Sequence, residues 1–115
     1  MHLRLVTATP GTAVSSPEFA QSADSVQAAL NFGFALYATG KFPEAVLAFE
    51  AAAQRDNAAA QEILGMMLLK GESLYPSLPA DEARGMYWLR RAAANGSDIA
   101  RYQVEYLDRG LASAR

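Results

Sequence analysis

Residues 57–96 read NAAAQEILGMMLLKGESLYPSLPADEARGMYWLRRAAANG, and the fold is decided there. Two apolar patterns with helical spacing flank a loop that carries two prolines. The first pattern predicts a helix from Ala58 to Lys70, with Ala60, Leu64, Met67 and Leu68 turned inward and Gly71 as its stop. The second begins at Asp81, buries Trp88, Leu89, Ala92 and Ala93, exposes Arg84, Arg90 and Arg91, and ends at Asn95-Gly96. Pro76 and Pro79 forbid regular helix in the loop from Gly71 to Ala80. Leu74, Tyr75 and Leu78 are too apolar for a solvated connection, so the loop is expected to fold back over the neighbouring helices.

Two more helices are predicted before this stretch and one after it. Asp24 is a candidate N-cap for a helix from Ser25 to Thr39, whose broad apolar face carries Val26, Ala29, Leu30, Gly33, Leu36 and Tyr37, and Gly40 ends it. Pro43 suits a first turn and opens a helix that runs to about Arg55 with Ala45, Phe49, Ala52 and Ala53 as its buried stripe. Ser97 caps the fifth helix, predicted to run to about Arg109 and to stop at Gly110. Residues 1–23 are rich in Thr, Ser, Pro, Ala and Gly without helical periodicity, and read as a loosely docked arm. His2 to Thr7 alternates weakly as a short strand would, yet a lone strand has no sheet to join. Residues 24–110 form the folded unit and residues 111–115 a tail.

The 115 residues are 51% hydrophobic and 19% charged, with a net charge of −2, which fits one small domain. A chain of this size buries roughly 65% of its unfolded surface and needs no metal or disulfide staple. With no cysteine and a single histidine, His2, the sequence offers no thiol nucleophile, no histidine-based triad and no zinc cluster. No cofactor is therefore expected, nor an enzyme. The longest apolar run, Ile63 to Leu69, is about seven residues, against about 20 for a membrane span. Arg4 interrupts Leu3, Leu5 and Val6, so a contiguous signal segment is missing and the cytoplasm is the expected compartment. Residues before Asp81 hold four basic and seven acidic groups, and those from Asp81 onward six and five. That balance argues against nucleic acid as a partner.

Gly33 and Gly65 each sit inside an apolar helix that ends at a further glycine. Such a period, about 32 residues, signals stacked helical hairpins. A glycine inside a helix costs about 1 kcal/mol against alanine. The expected return is close approach of the paired helix, with Ala45, Ala52, Ala92 and Ala93 as the complementary low surface.

Gly33, Leu36, Gly40, Phe42, Ala45, Phe49, Ala52 and a break at Asn57 resemble one tetratricopeptide repeat. Ala60, Leu64, Gly65, Gly71, Asp81, Arg84, Trp88, Leu89, Arg91, Ala92, Ala93, Gly96 and Ala100 resemble the related Sel-one-like repeat more specifically. The sequence departs from that pattern in three places: Gly85 stands where the family usually has alanine, Leu68 replaces the usual tyrosine, and the loop lacks a Gly-Val pair. The resemblance implies an all-α fold, an α-solenoid in which about five helices form a right-handed superhelix of antiparallel hairpins. It also implies a protein-interaction scaffold whose last hairpin is incomplete.

In such a stack the first helix of each hairpin lines the concave face. Gln27, Leu30, Phe34 and Tyr37, then Glu62, Met66, Leu69 and Lys70, then Tyr102, Tyr106 and Arg109 are expected there. An aromatic and methionine-lined groove of this kind suits a peptide or an amphipathic helix from a protein partner. The bland alternative places several of these side chains in the core or against the arm, with Pro17 to Phe19 as an internal occupant of the groove. A second reading is self-association into a homodimer through the unfinished end, by Ile99, Tyr102, Tyr106 and Leu107. Arg84, Arg90, Arg91 and Arg101 read as a solvated face paired with Asp81, Glu82 and Asp98. The run Gly65 to Ser73 is not a phosphate loop, because its glycine lies mid-helix and no strand precedes it. Asn95-Gly96-Ser97 is explained by turn chemistry.

Overall fold

Three polar side chains set the starts of three helices. Asn57 accepts a hydrogen bond from the Ala60 backbone N–H at 2.8 Å, Asp81 from Arg84 at 3.2 Å, and Ser97 from Ala100 at 3.0 Å. Each satisfies a donor the first turn leaves open, a device whose loss costs about 1 kcal/mol. The computed structural model describes residues 23–113, and among them it is all-helical, without strands. The helices are α1 (Ala23–Ala38), α2 (Phe42–Ala53), α3 (Ala58–Lys70), α4 (Glu82–Ala94) and α5 (Asp98–Ser113), with a single 3-10 turn at Gly71–Ser73 after α3. Residues 1–22 of the N-terminal arm, with the short strand considered at His2 to Thr7, and the end of the tail lie outside the described residues, and the arm's last residue, Ala23, opens α1.

Gly40, Gly71 and Gly96 take φ of 79°, 53° and 100°, left-handed values that reverse the chain at the ends of α1, α3 and α4. Gly110 does not share that conformation, and α5 continues to Ser113 instead of stopping there as predicted. A glycine ends a helix only where the chain turns left-handed. In the α3–α4 loop Tyr75 and Leu78 are buried as expected, but Leu74 is 58% exposed.

The main packing runs between helices consecutive in the chain: α1 with α2, α2 with α3, α3 with α4 and α4 with α5. Two apolar clusters result. The larger joins α1, α2, α3, the loop and Trp88 of α4, around Phe49, Leu64 and Met67. The smaller joins the other side of α3 and α4 to α5 through Leu89, Ala92, Ala100 and Val104.

The glycines do hold close contacts, though not against the alanines expected. A Cβ at Gly33 would stand 2.7 Å from the ring of Phe49. One at Gly65 would stand 2.7 Å from the Leu89 side chain and 2.9 Å from the Gly85 carbonyl oxygen. Gly85 reciprocates, its Cβ position lying 2.9 Å from the Gly65 oxygen and from the Leu69 nitrogen. α3 and α4 thus meet backbone to backbone, and glycine at residue 85 has a steric reason. Ala45, Ala52 and Ala92 are fully buried, whereas Ala93 is only partly covered.

Candidate functional site

α5 carries two apolar stripes. Ala100, Val104 and Leu107 pack inward against α3 and α4. Ile99, Tyr102 and Tyr106 follow a three-four spacing on another face and are 63%, 73% and 65% exposed. Beside them a shallow hollow of about 420 Å³ is lined by Asp98, Ile99, Arg101, Tyr102 and Gln103. Three large apolar side chains in one exposed row form a patch, which carries meaning that scattered exposure does not.

The other residues expected on a concave face divide sharply. Leu30 is buried in the larger cluster. Tyr37 is half-buried in an aromatic group, edge to face with Phe42, Phe49 and Tyr75, and its hydroxyl lies 3.1 Å from that of Tyr75. Burial and this hydrogen bond push the Tyr75 phenol up to about 12. Glu62 accepts a hydrogen bond from Ser97 at 2.8 Å, Met66 accepts one from Gln103 at 3.2 Å, and Leu69 packs with the smaller cluster. Gln27 donates to Asn31 within α1. Phe34 is 43% exposed with its ring against Phe49, and Lys70, Tyr102, Tyr106 and Arg109 are exposed. Only on α5 do several of these form one row.

From their caps onward α3 and α5 correspond. Asn57, Ala60 and Leu64 match Ser97, Ala100 and Val104: a cap followed by two buried residues in each helix. Gln61 and Gly65, which α3 turns toward α4, correspond to exposed Arg101 and Glu105. Glutamate at the place of the glycine closes this side of α5 to a helix approaching as α4 approaches α3. The row left exposed is Ile99, Tyr102 and Tyr106, the last two at the places of Glu62 and Met66, which α3 turns toward α5. The signal was in the sequence, as the spacing from each cap.

No family model, curated protein or solved structure matches this chain.

A polar cluster that sequence reasoning missed joins the α2–α3 turn to the end of α4. Buried Gln61 donates to the Ala53 carbonyl at 3.0 Å and accepts from Asn95 at 2.9 Å. Asp56, held at φ 65°, pairs with Arg91. The Arg91 hydrogen bond, then that of Asn95, holds its carboxyl below the ordinary 3.8. Arg84 reaches Glu50 at 2.7 Å and Arg90 reaches Asp108 at 3.0 Å, while Arg101 pairs with Asp98 at 3.1 Å. The arginines therefore tie helices together as well as pairing locally. Among the described residues no group of three or more His, Asp or Glu side chains could hold a metal ion, and no helix is long and apolar enough to cross a membrane.

Proposed function

We propose that this chain is a non-enzymatic protein-interaction module, an α-solenoid fragment of the tetratricopeptide and Sel-one-like kind, that docks a helical segment of a polypeptide on the outer face of α5. Packing between consecutive helices and the close approach of Gly65 to Gly85 support the stacked arrangement. The exposed row Ile99, Tyr102 and Tyr106 carries the functional reading. Tyrosine offers large contact area at low entropic cost, and residues spaced three and four apart face an incoming helix as one seam. Phe34 contributes a separate, smaller patch on α1.

The double variant Tyr102→Ser, Tyr106→Ser tests this, because both side chains point away from the core and helicity should persist. Capture from native extract with wild type and variant should give different partner profiles at equal circular dichroism. Identical profiles would overturn the assignment of the site.

A further inference from the structure

We propose that residues 1–22 fold back along α1 and cover its outer row, Ala28, Phe32 and Ala35, with Phe19 seated against Phe32. This interface lies at the opposite end of the chain from α5 and stands on separate residues.

The register of the repeat identifies the row. Counted from the matched glycines Gly33 and Gly65, Ala28, Phe32 and Ala35 of α1 fall on Ala60, Leu64 and Met67 of α3. Counted from the caps Asn57 and Ser97, those fall in turn on Ala100, Val104 and Leu107 of α5. In α3 and α5 this stripe seats the helix on the hairpin before it. Ala60, Leu64 and Met67 are fully buried in the cluster shared with α1 and α2, and Ala100, Val104 and Leu107 pack on α3 and α4. In α1 the same stripe is exposed, Phe32 to 62%. An apolar row at a place the other two helices bury calls for a cover on this side of the first hairpin.

The second hairpin shows where such a cover comes from. Beside the row, a groove of about 440 Å³ runs between Val26 and Ala29 of α1 and Ala51 and Gln54 of α2. Counting from the glycines, and from the Phe49 and Leu89 that cover them, Ala29 and Ala51 stand where the second hairpin has Gln61 and Arg91. Those two are met by the chain that enters α3: Gln61 donates to the Ala53 carbonyl and Arg91 pairs with Asp56. The chain that enters α1 is residues 1–22, joined at Ala23 beside the groove. Its chemistry suits an apolar seat, with Leu3, Leu5, Val6, Val14 and Phe19 against two charged residues, Arg4 and Glu18. Four residues of extended chain, from Ala23 back to Phe19, reach about 13 Å, and the helix from Ala23 to Phe32 rises about 13 Å. Phe19 thus arrives level with Phe32, and the chain leading to it crosses Ala28.

The sequence has no cysteine, so a thiol placed at residue 28 stands alone. In the full chain Ala28→Cys should react with a maleimide about tenfold more slowly than the same thiol combined with Phe19→Ser, and the ratio should be independent of protein concentration. Equal rates overturn the proposal, as does protection that grows with protein concentration, which would put a second copy on the row. Urea denaturation supplies a readout without the added thiol. Phe19→Ser and Phe32→Ser should each lower the midpoint, and the double variant should lower it no further than the stronger single one. A midpoint indifferent to Phe19→Ser, or two losses that add, overturns the proposal as well.

Discussion

Gly33 and Gly65 hold the same place in the first and second hairpins, yet a ring faces the one and a second backbone faces the other. In the α1–α2 hairpin the space above Gly33 is filled by the buried ring of Phe49, a side chain and not a backbone. In the α3–α4 hairpin Gly65 and Gly85 lie against each other's carbonyl oxygens, and nothing short of moving a helix makes room. One sequence signal thus serves two kinds of packing. The difference lies in the partner helix: Phe49 and Leu89 each cover one glycine, and only the α3–α4 hairpin adds a second glycine, Gly85, whose backbone comes into contact as well.

The largest effect should come from adding a methyl group to the tighter hairpin. Gly65→Ala or Gly85→Ala is expected to cost about 3 kcal/mol, the upper part of the range for overpacking, because the alanine's better helix propensity is swamped by a backbone clash. Gly33→Ala should cost less, about 1–2 kcal/mol, with the Phe49 ring tilting aside. Urea denaturation of the full chain measures both. Phe49→Leu should partly rescue Gly33→Ala, giving a coupling energy in a double-mutant cycle, while Leu89→Ala should fail to rescue Gly65→Ala since the Gly85 oxygen remains. Equal rescue in the two hairpins would erase the distinction between them.

The hairpins are also joined to each other by different chemistry at their two ends. Near one end lie Tyr37, Phe42 and Tyr75; near the other, Gln61, Asp56, Arg91 and Asn95. Replacing buried Gln61 with Met keeps its volume and removes its bonds to Ala53 and Asn95. A loss of about 1–2 kcal/mol is expected in the same urea measurement, and no loss would mean that the polar end does not hold the hairpins together.

How much of this was legible follows from where each interaction lies. Asn57, Asp81 and Ser97 act within one turn of their own positions, so their caps could be read from local order, and Gly40, Gly71 and Gly96 likewise. The stop predicted at Gly110 was misplaced because composition does not reveal φ. The contacts of Leu30, Tyr37, Met66 and Leu69 depend on which neighbouring helix covers them, and periodicity identifies a face without identifying its neighbour. The long-range pairs Arg91–Asp56, Arg84–Glu50 and Arg90–Asp108 were hidden for the same reason. The row on α5 was visible because nothing among the described residues competes for it.

Alkaline pH probes the aromatic end. Tyr75 is raised from 10.0 to about 12, so the folded state keeps a proton that the unfolded state gives up. Its contribution is whole below pH 10 and falls as pH rises to about 12, because the unfolded chain is then the more easily deprotonated. Tyr75→Phe should lower Tm modestly at neutral pH, through loss of the Tyr37 hydrogen bond, and flatten the decline above pH 10. A slope unchanged by the substitution would place the alkaline loss elsewhere.

Acid should give the smallest effect, since Asp56 is solvent-exposed and its pair with Arg91 is screened. Its folded value lies below 3.8, so the contribution is present above that value and disappears as pH falls through the lowered one. Asp56→Asn keeps a group that can still bond Arg91, but without the charge. The variant should therefore be slightly less stable than wild type at neutral pH, and the gap should close on the acid side of 3.8 as the wild-type carboxyl takes up its proton. Thermal melts of the two proteins across that interval decide it: a gap that stays constant would mean that Asp56 acts through the turn at φ 65° and not through its charge.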